Sequence, residues 1–324
     1  MGASLLEVRD LAIEIADWEP VKDVSFEVAG GECVAIVGET GSGKTLTCRA
    51  ITGMLRRRGG SVVRGSARFD GIDLLTLTER QWLEVRGRRI SLVPQSSMAG
   101  LDPIMRVGRQ LEETIRFIAP ADDPRKRARE LLDHVHMARA DEVLRLYPHE
   151  LSGGMRQRIM IAFALVGRPE LIVADEPTTA LDVTLQRNIL RLLKELQAET
   201  ALSVILVTHD LGVVEEVADS VTIMYAGRVV EAGPAAKVLG APAHPYTCAL
   251  LAARPLTVGP GEELLAIPGL PPGPADRASG CPFAPRCARA QARCDEAVPQ
   301  LETVDDLPGH LAACWLARSG DDAA

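Results

Sequence analysis

The sequence predicts an α/β fold with a mostly parallel sheet, preceded by antiparallel N-terminal strands and completed by a helical subdomain and a loop-rich C-terminal extension. An apolar run at 33–37 (CVAIV), typical of a central parallel strand, is followed by a glycine-rich loop and a helical stretch. Two more apolar runs, at 171–175 and 203–208, enclose a helical pattern at about 183–199. Prolines and glycines dominate 255–285, which indicates loops and not a second doubly wound domain.

The remaining elements follow from residue periodicity. Residues 5–15 (LLEVRDLAIEI) alternate between apolar and polar, which predicts a half-buried strand, and 24–28 do the same. Helical spacing replaces this pattern in VGRQLEETIRFI and RKRARELLDHV, and one more strand is expected at about 221–225. The predicted organisation is a domain over 1–240 with its helical subdomain at about 97–165, and an extension over 241–324.

Composition and charge limit the function classes. The 324 residues, 47% of them hydrophobic, suffice for one large core or two ordinary domains. The net charge of −8 argues against a nucleic-acid binder, which usually carries a basic surface. No apolar run approaches the roughly 18–20 residues that span a bilayer, and the N-terminus lacks signal-peptide features. We therefore expect a soluble, cytosolic chain that acts at a membrane only through a partner.

The glycine-rich loop matches the P-loop pattern in full and lies between a buried strand and a helix, as that pattern requires. Its glycines let backbone N–H groups converge on phosphate oxygens, and the helix N-terminus adds partial positive charge. Lys44 is expected to reach the β- and γ-phosphates, and the Thr45 hydroxyl to bind Mg²⁺. The motif indicates an NTPase or a kinase, with these candidate nucleotide ligands: Gly38, Glu39, Thr40, Gly41, Ser42, Gly43, Lys44 and Thr45.

Carboxylate, amide and imidazole side chains follow three other predicted strands. LIVAD at 171–175 ends in Asp175, expected to hold the Mg²⁺ shell, and Glu176 comes next, placed to orient or deprotonate the attacking water. Gln95 ends the run ISLVPQ and His209 ends SVILVTH. Both fit a role as sensors of the γ-phosphate, and Gln95 could also bind Mg²⁺.

A second phosphate-binding pattern follows the helical insert. LSGGMRQ at 151–157 resembles the signature motif of ATP-binding-cassette (ABC) ATPases, and a serine with two glycines at a helix start forms an anion cradle. In that family this cradle serves the ATP bound to the other subunit, which implies a head-to-tail dimer with two shared ATP sites. Asp182 then lies on a loop that crosses the dimer interface. The signature residues assigned to the partner's ATP are Ser152, Gly153, Gly154, Met155 and Gln157.

The resemblance covers nearly the whole chain and points to one branch of the family. YPHELSGGMRQR at 147–158 looks like peptide and nickel importer ATPases, and HPYT at 244–247, IPGLPP at 267–272 and CPFAPRC at 281–287 resemble the C-terminal extension of oligopeptide and dipeptide importers. This implies a P-loop ABC ATPase core that powers uptake of di- or oligopeptides, with a nickel importer as the alternative. Two departures are Ser96, where the family often has an acidic residue, and the adenine-stacking aromatic, for which Trp18 is the best candidate and Phe26 a weaker one.

The same resemblance implies the partners. They are a second, different ABC ATPase subunit, two transmembrane permease subunits and an extracytoplasmic substrate-binding protein, which would place this chain at the cytoplasmic face of the cell membrane. ABC ATPases that act on ribosomes or DNA are a further alternative. The chain argues against it, because it has one cassette, no sustained heptads and no basic surface.

Four of the seven cysteines crowd into the C-terminal region, at Cys281, Cys287, Cys294 and Cys314. In a cytosolic protein such a cluster favours metal over disulfides. Four thiolates can hold zinc or an iron–sulfur cluster. The resemblance to peptide importer ATPases favours a 4Fe–4S cluster, with zinc and free thiols as alternatives. His310 could add a ligand but is expected to be a surface residue.

Overall fold

The computed structural model describes residues 4–55, 59–96, 100–178, 182–254, 267–273, 279–304 and 307–317. Within these ranges the strands, in chain order, are β1 (Ser4–Ile15), β2 (Trp18–Ala29), β3 (Cys33–Val37), β4 (Gly60–Phe69), β5 (Ile72–Asp73), β6 (Ile90–Val93), β7 (Leu171–Asp175), β8 (Ser203–Thr208), β9 (Ser220–Tyr225), β10 (Arg228–Pro234), β11 (Glu302–Thr303) and β12 (Leu311–Ala312).

The helices of the same ranges are α1 (Lys44–Ile51), α2 (Glu79–Val85), α3 (Val107–Ile118), α4 (Pro124–His134), α5 (Ala140–Val143), α6 (Gly153–Ala164), α7 (Val183–Thr200), α8 (Leu211–Val217), α9 (Ala235–Gly240), α10 (Pro245–Ala252) and α11 (Arg293–Glu296). Short 3-10 turns lie at Pro148–Glu150, Ala284–Arg286 and Trp315–Ala317. None of these helices has the length and apolar character needed to cross a membrane.

The chain divides into two compact units, which are described one at a time. The described residues of the first unit belong to 29–32 and 76–207, and those of the second to 4–28, 33–75 and everything from 208 onward.

The first unit contains a parallel sheet and the helical subdomain. Strand β7 pairs in parallel with β6 and with β8, so that Leu171 stands opposite both Ile90 and Ser203. Every residue of β7 is buried, which explains its unbroken apolar run. Helix α3 buries Leu111 and Ile115, four residues apart on one face. The helices α3, α4, α5 and α6 lie within the stretch at about 97–165 for which a helical subdomain is predicted.

The second unit contains an antiparallel sheet in the order β2-β1-β4-β5. Strands β1 and β4 pair antiparallel, with Leu6 opposite Phe69. A separate set starts at β3, which pairs in parallel with β9, while β10 pairs antiparallel with β9 and with β12. The C-terminal extension therefore adds its last strands to the sheet of the nucleotide-binding core.

Aromatic packing joins the extension to the rest of the second unit. Tyr246 on α10 and Phe283 are both buried, and their ring centroids lie 4.6 Å and 5.2 Å from that of Tyr225 on β9. These contacts belong to a core that includes Val37, the residue before the P-loop. The extension is thus packed against the strand that carries the loop.

The strands predicted at 5–15, 33–37, 171–175, 203–208 and about 221–225 are confirmed. The pattern at 24–28 is part of the longer β2. Sequence periodicity did not indicate β4, because only three of its ten residues are buried, Gly60 at one end and Ala67 and Phe69 at the other.

Candidate functional site

The P-loop connects β3 to α1, which begins at Lys44. Gly38 is required by a close approach, because a Cβ atom there would lie 2.1 Å from the carbonyl oxygen of Met224. Gly43 precedes the helix with a φ of 102°, a left-handed conformation that side chains rarely adopt. Thr40 and Gly41 are exposed at the tip, and Thr45 is half-buried in the first helical turn.

The Lys44 ammonium lies inside the loop. Its Nζ donates to the carbonyl oxygens of Gly38 at 2.7 Å and Glu39 at 2.9 Å, and it lies 3.4 Å from Ser42 Oγ. Only 5% of the residue is exposed, so the charge depends on these partners. Anionic phosphate oxygens are stronger acceptors for an ammonium than neutral carbonyl oxygens. A bound nucleotide can therefore replace these carbonyls as the hydrogen-bond partners of Lys44.

Glu39 makes contacts that sequence reasoning did not anticipate. Its backbone N–H donates to the Tyr246 hydroxyl at 2.9 Å. Its carboxylate accepts two hydrogen bonds from Arg286, at 2.6 Å from Nη1 and 3.1 Å from Nη2. Both partners belong to the C-terminal motifs HPYT and CPFAPRC. An arginine and a tyrosine within those motifs were the available signals, but nothing in their spacing pointed to the P-loop.

In the first unit, the structure brings Gln95 and Glu176 together. Gln95 Nε2 donates to Glu176 Oε2 at 2.8 Å. Glu176 follows β7 with a φ of 48° and its N–H donates to the carbonyl of Val207 at 3.0 Å. Non-glycine residues held in this left-handed conformation are often found at functional sites. Asp175, 6% exposed, ends β7.

The signature motif forms the start of α6. Ser152 is its N-cap, and its Oγ accepts a hydrogen bond from the Met155 N–H at 3.3 Å. Ser152 and Gly153 are exposed, whereas Gly154 is buried where a Cβ would lie 3.0 Å from Leu185 Cδ2. Gln157 is 4% exposed, so it does not lie on the surface with Ser152 and Gly153. Within the described ranges its amide nitrogen has no hydrogen-bond partner.

The other nucleotide-site candidates have separate positions. Asp182 is exposed and is the N-cap of α7, where its Oδ1 accepts from the Leu185 N–H at 2.9 Å; the rest of the predicted interface loop, 179–181, lies outside the described residues. His209 is exposed directly after β8. Trp18 opens β2 and is half-buried, while Phe26 is only 7% exposed, which leaves Trp18 as the more accessible aromatic.

The C-terminal cysteines all line one small cavity of about 20 Å³. Such a volume has room for about one water molecule. The four thiols are a donor set of the kind that zinc and iron–sulfur clusters use. Burial raises the pKa of Cys281 to about 11, and it also raises the pKa of Cys314. Across the described parts of the chain, no group of three or more His, Cys, Asp or Glu side chains is arranged to hold a metal.

The expectation that His310 is a surface residue is wrong. It is fully buried, and its Nε2 lies 2.7 Å from Glu231 Oε1. Glu231 is also fully buried and accepts hydrogen bonds from the backbone N–H groups of Ala243 and His244. His310 therefore serves to attach the last part of the extension to β10.

Solved structures and family comparisons identify this arrangement. The chain superimposes with a TM-score of 0.63 on the ATP-binding cassette MJ0796 in a dimeric post-hydrolysis state bound to ADP and Pi, at 27% identity over 71% of this chain and 98% of that one. It also matches CbiO1 of Clostridium perfringens, part of the ABC transporter complex CbiONQ, with a TM-score of 0.65, 27% identity, and coverage of 74% of this chain and 91% of that one. The fold and the P-loop define an ABC-type ATPase.

The sequence comparisons are more specific. Residues 21–179 match the ABC transporter family, and residues 230–294 match the oligopeptide/dipeptide transporter C-terminal region. The oligopeptide transport ATP-binding protein OppD of Salmonella typhimurium is 46% identical over 96% of this chain and 93% of its own length. AppD of Bacillus subtilis is 42% identical over 97% of both chains. The chain belongs to the ABC transporter family, in the group of ATP-binding proteins with the oligopeptide/dipeptide-type C-terminal region.

Proposed function

We propose that this chain hydrolyses ATP to power the uptake of di- or oligopeptides through partner permease subunits. The assignment of peptides as the cargo rests on the C-terminal extension. It matches the oligopeptide/dipeptide transporter C-terminal region, and relatives named for oligopeptide transport align with almost the whole chain. The extension is also packed into the core of the nucleotide-binding unit through Tyr246 and Phe283.

The proposed chemistry assigns a task to each motif. Lys44 and the backbone N–H groups of the P-loop bind the β- and γ-phosphates. Glu176 is the general base for the attacking water, and the Gln95 amide, bonded to its carboxylate, holds that carboxylate in one orientation. His209 is proposed to sense the γ-phosphate, and Trp18 to stack on adenine.

Mg²⁺ is the metal this chemistry needs, because bound Mg²⁺ neutralises charge that develops on the phosphate oxygens. The candidate ligands suit it, since hydroxyl, amide and carboxylate oxygens are hard donors. Thr45 is accessible in the first turn of α1, and Asp175 ends a buried strand. Gln95 would complete the set through its amide oxygen, because its Nε2 is already donated to Glu176.

The signature motif is proposed to face the ATP of a second ABC subunit. The exposed Ser152 and Gly153, with the N-terminus of the twelve-residue helix α6, form the accessible part of this cradle. Asp182 is proposed to lie on the loop that crosses this dimer interface. The full assembly would contain a second, different ATPase, two permeases and an extracytoplasmic binding protein, with this chain at the cytoplasmic face of the membrane.

The experiment is reconstitution of the complex encoded by the neighbouring genes in liposomes, with uptake of labelled dipeptides, oligopeptides and Ni²⁺ measured alongside ATP hydrolysis. Peptide uptake that requires ATP and disappears in Lys44→Ala supports the proposal. Ni²⁺ uptake without peptide uptake would establish the nickel alternative. Co-purification with ribosomes or DNA, and not with membrane subunits, would rule out transport.

We further propose that Cys281, Cys287, Cys294 and Cys314 bind a 4Fe–4S cluster, with zinc as the alternative. Support comes from the convergence of four thiols, spread over 34 positions of the chain, on one cavity. Anaerobic purification followed by iron, sulfide and zinc analysis tests this: iron and sulfide with a broad visible absorption band support the cluster, and a colourless zinc protein contradicts it.

A further inference from the structure

The P-loop of this chain contains an acidic residue where a polyanion is expected to bind. Glu39 directly follows Gly38, and its side chain is 25% exposed. Its own carbonyl oxygen is bonded to the Lys44 ammonium. A free carboxylate at this position would repel the phosphates and could pair with Lys44 in competition with them.

Arg286 donates a hydrogen bond to each oxygen of that carboxylate. The two residues form a bidentate pair, the strongest arrangement of guanidinium and carboxylate. The Arg286 side chain is only 4% exposed, so water screens the pair poorly. The guanidinium of an arginine is not deprotonated in proteins, so Arg286 carries a full positive charge beside Glu39.

The remaining donors of Arg286 fix the guanidinium in place. Nε donates to the carbonyl of Pro268 at 2.7 Å, Nη1 to the Tyr225 hydroxyl at 3.2 Å and Nη2 to the carbonyl of Ile267 at 3.3 Å. With the two bonds to Glu39, all five N–H groups of the guanidinium have an acceptor. Because each of its N–H groups is bonded, the Arg286 guanidinium is held in one position, beside Glu39 of the P-loop.

Tyr246 supplies a second link to the same residue. Its hydroxyl accepts the Glu39 backbone N–H, and burial raises the pKa of Tyr246, so that the hydroxyl stays neutral. The extension thus holds both the backbone and the side chain of Glu39. Two separate segments of it, α10 and the 3-10 turn Ala284–Arg286, converge on one residue of the loop.

We propose that Arg286 and Tyr246 are positioning residues of the phosphate loop. Arg286 neutralises Glu39 and keeps its carboxylate away from Lys44 and the phosphates, so the ATP affinity of the cassette depends on the C-terminal extension. This rests on the proposed binding of ATP by the P-loop. The turn that carries Arg286 is closed by hydrogen bonds from Ala284 N to Cys281 O and from Cys287 N to Ala284 O. The cysteine loop therefore sets the position of the guanidinium.

The test compares ATP affinity in variants of the full-length chain, using a fluorescent ATP analogue. Arg286→Gln removes the charge, and we expect it to weaken ATP binding about tenfold or more, as one uncompensated charge beside a phosphate site should. Arg286→Lys keeps the charge and should retain most of the affinity. The double variant Glu39→Gln/Arg286→Gln should bind ATP about tenfold more tightly than Arg286→Gln, because the repelling carboxylate is gone.

Two further variants distinguish a failure of the proposed function from a failure of the inference about Arg286. Arg293→Ala removes a different arginine of the extension, one that lies over the Trp315 ring, and serves as the matched control. Lys44→Ala tests the P-loop itself: if wild type and Lys44→Ala bind ATP equally, the proposed function fails. If Lys44→Ala loses binding and Arg286→Gln does not, only the present inference is overturned.

The double variant distinguishes an effect of the Glu39 charge from a loss of structure. If the double variant binds ATP as weakly as Arg286→Gln, the loss does not come from the freed carboxylate and the proposal is overturned. The thermal unfolding midpoint is measured for every variant. If Arg286→Gln does not fold, the proposal requires the neutral double variant to fold and bind ATP, and its failure to do so counts against the proposal.

Discussion

The attachment of the extension to β10 allows a quantitative prediction about Glu231. This fully buried carboxylate accepts hydrogen bonds from the Ala243 N–H at 2.7 Å and the His244 N–H at 3.0 Å, and His310 Nε2 lies 2.7 Å from it. Glu231→Ala leaves two buried polar groups, the His244 N–H and the His310 ring, and the half-buried Ala243 N–H without this acceptor. Each such group costs about 1–3 kcal/mol, and the substitution also removes the cost of burying the carboxylate.

The expected net loss in the free energy of unfolding is therefore about 3–5 kcal/mol, as for other buried pairs that lose one partner. Glu231→Gln keeps the shape and one good acceptor, and should lose about half as much. The assay is equilibrium urea unfolding followed by tryptophan fluorescence, since one of the three tryptophans, Trp315, lies in the extension. The control is Glu296→Ala, an exposed glutamate of the same extension. A loss below about 1 kcal/mol, or one equal to that of the control, would refute the reasoning.

The other predictions concern the catalytic base, the P-loop backbone and a buried histidine. Glu176→Gln should bind ATP within a few-fold of wild type but hydrolyse it about 10²–10⁴-fold more slowly, measured with a catalytically inactive partner ATPase; near-normal turnover would show that another group is the base. Gly38→Ala should abolish ATP binding, because the new methyl group would lie 2.1 Å from the Met224 carbonyl oxygen; Gly30→Ala, which has nothing within 4 Å of its Cβ, is the control. Burial lowers the pKa of His244 from 6.5 to about 4. The neutral histidine therefore supports the fold above pH 6.5, and up to about 3 kcal/mol should be lost as the pH falls from 6.5 to 4. His244→Asn, which can keep the helix cap, should flatten that dependence in urea unfolding, and an unchanged slope would assign it to another group.

Local sequence patterns predicted the parts of this protein that depend on neighbours along the chain. The run CVAIV became β3 and LIVAD became β7, because both are buried on all sides and need no alternation. The P-loop could be identified from its eight residues, since its glycines are required by backbone geometry within the loop and at its ends. Gln95 and Glu176 were both expected at strand ends, and the pairing of β6 with β7 brings them into hydrogen-bond contact.

Contacts between segments that are distant in the sequence could not be predicted from local patterns. Arg286 and Glu39 are 247 positions apart, and neither residue type nor spacing indicates that they meet. His310 was expected at the surface, but it is buried, and Glu231 supplies its partner there. Gln157 belongs to a motif that was predicted to bind phosphate, yet on α6 its side chain is buried in the interior.

The difference between the features that could be predicted and those that could not has a physical reason. Secondary structure and phosphate cradles depend on periodicity and backbone freedom, which a short stretch of sequence expresses directly. The nucleotide motifs and the order in which they occur were sufficient to recognise an ABC ATPase of the peptide importer type. The role of the extension depends on which side chains meet after folding. Tyr246 and Phe283 pack against Tyr225, and Arg286 meets the P-loop residue Glu39; this is the contact through which we propose that the C-terminal region affects ATP binding.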